Sequence, residues 1–534
     1  MKTNYLFSIA AAGLLFLSGC ANDDAAQGGD WGEDGVPAGS TLFSGAVRSA
    51  TRTVISNHMK NGSAQVSWSA GDKIWVKDDG NAWRQSGAAS IPAYNKSRAS
   101  FALSGTYTGA SHEVVYTNKP VSGTQPQVEI KSAQTQSAPN NFDHAGASGD
   151  CAVARATKYG ARYEFTLDHK AAYLCLIPRS TDIPINGNIR LTKITVASDD
   201  DIAGTYDIAS DGTLTLASGG SKTITLTLGD YPLDNTADDQ AKNAAYMVIK
   251  PGMHDLVVKY TITDPSTNAS LDIPKYIGPR SYDAGKISDL TANLVPNNYY
   301  QWGAVNPYWY GYESFQPLTN GVTGSHYPQA GDANNRYYDM GVKPAPGSYP
   351  PARYDAKPEA FNSMPGVPNL NEEYWYAQFG DAHWVSGVTY TVVEGAHLKS
   401  KTVNGIWLRK RKALLAAVKA AGFPSTWTWE NLKECFYTAP GGTPIDARTG
   451  EAPYLINPIA SGTPANLDDY FFLPALGVYQ YGKLDMYGSL GAYWPVNVNK
   501  DNYNDAIYMW FSSSNIGLTV YNPREYGFSV QAFE

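Results

Sequence analysis

Histidine and cysteine are scarce in this chain: eight and four residues among 534. No C-x-x-C or H-E-x-x-H spacing occurs, so the sequence presents no metal signature and no cofactor motif. Charged residues make up only 17%, and the net charge of −8 with a pI near 5.6 argues against nucleic acid as a partner. No apolar run reaches the ~20 residues that a spanning helix needs. A Ser/His/Asp order, a Gly-rich phosphate loop and a carboxylate pair are likewise missing, and the chain reads as a non-enzyme. What it has in quantity is Tyr (37), Trp (13), Gly (50) and Pro (32). Few charges with many aromatics, glycines and prolines suit short strands joined by turns, and the fold class expected is mainly β.

The start, MKTNYLFSIAAAGLLFLSGC, carries one lysine, an apolar run and then small residues. That run has the ~7–15-residue length of a secretory signal core. Leu17-Ser18-Gly19-Cys20 resembles the bacterial lipobox, which implies acylation at Cys20 and an outer-membrane lipoprotein anchored by lipid. Ala21-Asn22-Asp23-Asp24 resembles the surface-export signal of Bacteroidetes lipoproteins. Residues 1–20 are read as signal peptide and 21–39, rich in Gly, Ala and Asp, as a disordered linker.

Beyond Cys20 the cysteines are Cys151, Cys175 and Cys435. Three thiols make no disulfide framework; a Cys151–Cys175 bridge and two separate buried thiols both stay open.

From about residue 40 to 295 short alternating runs follow one another, such as KIWVKD, ARYEFTLDHKAAYLCLIP, NIRLTKITVAS and HDLVVKYTITD. They are closed by Gly, Asp, Asn or Pro, as the strands of a sandwich are. The ordered segments ATRT, VSWSAGDKIWV, CAVARAT, FTLDHKAAYL, AAYMVIKPG and YDAGKISDLTANL resemble fimbrillin-type proteins of Bacteroidetes over residues 41–294. The resemblance implies two transthyretin-like β-sandwich subdomains, 40–180 and 181–295. It also implies a pilus role: a protease cuts after an arginine near the first strand, Arg52 (TRTV) or Arg48 (AVRS). The freed groove would then take the strand of another pilus subunit by donor-strand exchange. Arg52 matches the family's Thr-Arg-Thr segment better, and it also reads as an exposed arginine on an edge strand. His169 in LDHKAAYL reads as structural, and the acids at 199–201 as a solvated turn.

After Pro296 the composition shifts. NNYYQWGAVNPYWYGYESF opens a stretch of long Pro/Gly segments, with one helix expected from 406 or 407 through 421, stopped by Gly422, and a shorter one around Trp429 and Leu432. AIYMWF and IGLTVY read as a hairpin turning at 512–515. Tyr299-Tyr300-Gln301-Trp302-Gly303, Phe472-Leu473-Pro474-Ala475-Leu476-Gly477, Gly491-Ala492-Tyr493-Trp494 and Gly527-Phe528-Ser529-Val530 resemble the Fibrobacter succinogenes major paralogous domain. That resemblance implies a C-type-lectin-like α+β domain over 296–534. Gln531-Ala532 replaces the family's terminal Arg-Cys, Trp494-Pro495-Val496-Asn497 replaces its Trp-Ser-Ser-Thr, and residues 321–454 match little.

For ligand contact the loop 497–505 stands out: Asn497, Asn499 and Asp501 offer directional hydrogen bonds and Tyr503 a stacking face. A long polar turn accounts for the same residues. The sequence therefore reads as a pilus-tip or pilus-associated adhesin that binds a surface glycan or a host or bacterial surface protein. The competing reading is a surface glycan-binding lipoprotein that never polymerises. A shaft subunit must offer a C-terminal donor strand, and here a further domain follows the sandwiches, which points to the end of a fibre.

Overall fold

The computed structural model describes residues 37, 39–47, 54–56, 58–62, 64–181, 187–304, 306–332, 334–338, 367–448, 454–496 and 505–534. Cys20, Arg48, Arg52, Asn497, Asn499, Asp501 and Tyr503 lie outside the described residues. The chain is mainly β, and no helix among the described residues is long and apolar enough to cross a membrane.

Alternation creates the first core. Along Arg162–His169 every second side chain, from Tyr163 through Phe165 and Leu167 to His169, is buried, and those between point outward. This strand belongs to a seven-stranded sheet ordered Trp83–Gln85, Trp75–Lys77, Ser111–Tyr116, Ala152–Tyr159, Arg162–His169, Ser40–Val47, Arg98–Ser104. Trp68 seals its inner face, with its ring 4.9 Å from Phe101 and 6.2 Å from Tyr116. The Trp-x-x-Gly-Asp segment closes as a turn in which Asp72 accepts the Ser69 N–H at 2.7 Å.

The second core fills the space between a five-stranded sheet and a three-stranded one. The first runs Ala269–Tyr282, Gly252–Asp264, Arg190–Ser198, Thr223–Pro232, Ala133–Gln136; the second runs Ala245–Ile249, Ala172–Arg179, Ile287–Asn293. Ala172–Arg179 is buried at every position except Arg179, as a central strand covered on both faces must be. Ala133–Gln136 and Ala172–Arg179 thus sit in these two sheets although they precede residue 180.

His169 closes its strand. It is 1% exposed and bonds Asp150 at 2.8 Å, while the Tyr173 hydroxyl donates to the same carboxylate at 2.5 Å. Such a buried dyad is structural. The acids at 199–201 are spent locally: Asp199 accepts the Asp255 N–H and Asp200 meets His254.

Cys151 and Cys175 are free, buried thiols, which corrects the bridge left open above. Cys151 leads into the seven-stranded sheet, whereas Cys175 lies in a strand of the second core with its sulfur 3.8 Å from Gln240 Nε2.

The C-terminal half is built on a six-stranded sheet (Asn298–Tyr300, Phe528–Val530, Gly491–Tyr493, Asp505–Phe511, Asn515–Pro523, Leu455–Pro458) and a four-stranded one around the hairpin His383–Glu394/His397–Arg409. The helix expected from 406 begins only at Arg411 and runs to Ala420. Residues 406–409 end a strand instead, because Ile406 and Leu408 pair with Leu473 and Phe471 and both are fully buried. Tertiary pairing overrides the local helical spacing there. Trp429–Glu434 is the second expected helix. A third, Leu370–Phe379, is closed by a capping box between Asn369 and Glu372.

Several contacts join the halves near the long hairpin, among them His397 with Asp264 and Thr391 with the Ser270 carbonyl. Leu398 is fully buried within the second core, its N–H donates to Asp264 at 3.2 Å, and Thr267 donates to its carbonyl at 2.6 Å.

Candidate functional site: the first strand and its slot

Ser40–Val47 pairs on both sides, in parallel with Arg162–His169 (Leu42 opposite Arg162, Val47 opposite Leu167) and antiparallel with Arg98–Ser104 (Ser40 opposite Ser104, Ala46 opposite Arg98). The other pairings in that sheet are antiparallel. A strand of eight residues therefore fills the slot between the edge strand and the rest of the sheet. Without it, two ladders of N–H and C=O groups would face an open channel.

The side chains in this slot form a plug and a gap. Phe43 is fully buried, stacked on Tyr163 at 4.9 Å and edge-on to Tyr107 at 5.0 Å. The Tyr163 hydroxyl donates to the Gly109 carbonyl at 2.7 Å, fixing the ring that Phe43 covers, and burial raises its pKa. Two positions on, Gly45 leaves room for Phe165. Burying one Phe is worth ~1.5–3 kcal/mol, so Phe43 anchors the strand and the paired backbone aligns it.

Downstream, the chain is fastened to the second core. Lys60 Nζ reaches Asp238 at 2.6 Å, the Lys60 N–H donates to Gln240 Oε1 at 2.7 Å, and the Asn61 N–H donates to Asp289 at 2.7 Å. Burial works against ionisation of Asp238, but Lys60 and Arg179, the latter at 2.7 Å, outweigh it and hold the carboxyl below its usual range. The segment carrying Arg48 and Arg52 joins the plugged strand to this fastened one. Both arginines are outside the described residues.

The aromatic motifs of the C-terminal half converge as core. Trp302 Nε1 donates to the Pro495 carbonyl at 2.9 Å, and Trp494 Nε1 donates to the Tyr300 carbonyl at 2.8 Å. Asn298–Tyr300 pairs with Phe528–Val530, which in turn lies beside Gly491–Tyr493. The tyrosines and tryptophans at 299, 300, 302, 308 and 309 are all buried, so they serve packing and offer no exposed platform. Asn497, Asn499, Asp501 and Tyr503 lie outside the described residues, between buried Val496 and Asp505, which opens a strand.

Phe43, Gly45 and Tyr163 were not singled out by sequence reasoning. The only local signal was the alternation in LFSG, and nothing in it reveals a parallel partner more than a hundred residues away.

No family profile matches the chain, and no curated protein sequence does. Among solved structures it is similar to a candidate cell adhesion protein of Bacteroides ovatus, at 13% identity over 48% of this chain and 91% of that one, with a TM-score of 0.31. A candidate cell adhesion protein of Bacteroides uniformis shares 17% identity over 48% and 94%, with a TM-score of 0.28. The fimbrial anchor protein Mfa2 of Porphyromonas gingivalis shares 11% over 45% and 83%, with a TM-score of 0.22. At these TM-scores the likenesses carry no argument about what this chain does.

Proposed function

We propose that this protein is a pilus-associated adhesin, placed at or near the tip, whose first strand is released and replaced by the strand of another subunit. The observation that carries the reading is the slot itself. One eight-residue strand is paired on both edges and anchored by a single buried phenylalanine. It is joined through an arginine-bearing segment to residues fastened elsewhere. Cleavage after Arg52 or Arg48 would free the strand and leave the fastened segment in place. The channel left behind offers hydrogen-bonding edges and an aromatic pocket, the requirements for β-strand addition.

In this reading Cys20 carries the lipid during export to the outer membrane, and no catalytic step is assigned. The C-terminal half binds a glycan or surface protein, with the loop bearing Asn497, Asn499, Asp501 and Tyr503 as the contact. Phe528–Val530 is held between two neighbours in the six-stranded sheet, which suits a subunit that accepts a strand and does not donate this one.

A non-polymerising glycan-binding lipoprotein is favoured by one observation, the complete pairing of the first strand in the uncut chain. The amino terminus of the protein recovered from the cell surface separates the two. Thr53 or Ser49 at that terminus supports release of the strand. An acylated Cys20 in the assembled, surface-exposed protein contradicts it.

A further inference from the structure

Three side chains distant in sequence meet where the fastened segment touches the second core. His58, Cys175 and Asp289 each present a ligand atom, all within 4.8 Å of one another. Cys175 is fully buried, and the side chains of His58 and Asp289 are 1% and 5% exposed. His58 Nε2 stands 3.6 Å from Asp289 Oδ2. Ligand atoms around a tetrahedral zinc ion, at about 2.0–2.3 Å from the metal, stand roughly 3.3–3.8 Å apart.

The surroundings orient the three groups. The Gln240 amide nitrogen and the Tyr246 hydroxyl both reach His58 Nδ1, at 3.2 and 3.3 Å, which leaves Nε2 as the nitrogen facing Asp289. The same Gln240 amide reaches Cys175 Sγ at 3.8 Å, a contact that suits a metal-bound thiolate. Asp289 Oδ2 accepts the Asn61 N–H, and the Cys175 thiol hydrogen-bonds the same carboxylate. A buried carboxylate is costly to keep charged, and a cation that replaces the neighbouring thiol proton would satisfy both groups.

We infer that His58 Nε2, Cys175 Sγ and an Asp289 carboxylate oxygen form a zinc site that ties the segment following the first strand to the second core. One nitrogen, one sulfur and one oxygen make a borderline donor set that selects zinc over calcium or magnesium. Binding exchanges the thiol proton for the metal: the S–H bond breaks, the S–Zn bond forms and one proton leaves to solvent. Burial, followed by the nearby Asp289 charge, raises the pKa of the Cys175 thiol, so the thiol keeps its proton until a metal displaces it. The inference rests on neither strand exchange nor ligand binding by the C-terminal half.

The test uses the full-length protein, stripped with chelator and titrated with zinc chloride or cobalt chloride. The site predicts uptake of about one equivalent of zinc and, with cobalt, a near-ultraviolet thiolate-to-metal charge-transfer band. The wild-type band reads thiolate ligation without any substitution. Cys175→Ser and His58→Gln should abolish it, and Cys435→Ser and Cys151→Ser should keep it. Zinc uptake below about a tenth of an equivalent at saturation, absence of the cobalt band, or a band that survives Cys175→Ser would each overturn the site.

Discussion

Gly45 lies directly beneath the ring of Phe165: a Cβ built at residue 45 would sit 2.4 Å from Phe165 Cζ. The first strand is thereby matched to its slot by a small residue opposite a large one, two positions from the Phe43 plug.

Gly45→Ala should force the Phe165 ring aside and destabilise the first core by about 1–3 kcal/mol. Combining it with Phe165→Leu should cost less than the sum of the two single changes, with a coupling of ~0.5–3 kcal/mol. Urea denaturation of the four proteins in the cycle measures this. Strict additivity would mean the two residues do not share the space.

Phe43→Ala removes the anchor while leaving the paired backbone intact. The expected loss is ~3–5 kcal/mol, read from the same denaturation curves.

Glu373 supplies a pH prediction. It is fully buried, and neither carboxylate oxygen has a hydrogen-bond partner. Burial, reinforced by neighbouring Glu372, raises its pKa well above 4.5. The folded chain therefore holds a proton that the unfolded chain has released. Stability from this group is complete below the unfolded pKa and falls as pH climbs from there toward the folded one. Glu373→Gln should flatten that decline, making the variant's relative stability greatest at pH 8 and smallest near pH 4, as thermal midpoints across pH will show.

Leu398 couples the halves. Leu398→Ala should cost ~2–5 kcal/mol and lessen the cooperativity between them, broadening or splitting the calorimetric transition. An unchanged single transition would show that the hairpin tip does not carry the coupling.

The mainly β character and many strand positions were legible because half-buried strands write their alternation into the sequence, as Arg162–His169 does. The hairpin turning at 512–515 and the helix stop at Gly422, with φ of +102°, were legible from turn chemistry. What stayed hidden depended on distant partners. Residues 406–409 carry helical spacing yet pair as a strand, since Leu473 and Phe471 lie opposite them. The helix Leu370–Phe379 is buried over most of its surface and so lacks an amphipathic stripe, and only Asn369 with Glu372 marked its start. Parallel insertion of the first strand, the burial of Leu398 and the meeting of His58 with Cys175 and Asp289 leave no local trace, because each joins segments far apart in the chain. The candidate site was legible only as two arginines and a resemblance; its plug and slot were not.

Strand replacement in the slot is the central claim, and a peptide tests it most directly. With a specific protease site placed within residues 48–53, the cut protein should exchange its first strand for a labelled peptide of sequence STLFSGAV. Fluorescence polarisation should show binding to the cut protein, little to the uncut one, and at least a tenfold loss for the peptide carrying Phe43→Ala, which corresponds to ~1.4 kcal/mol. Equal binding to cut and uncut protein, or equal binding of the two peptides, would contradict the account.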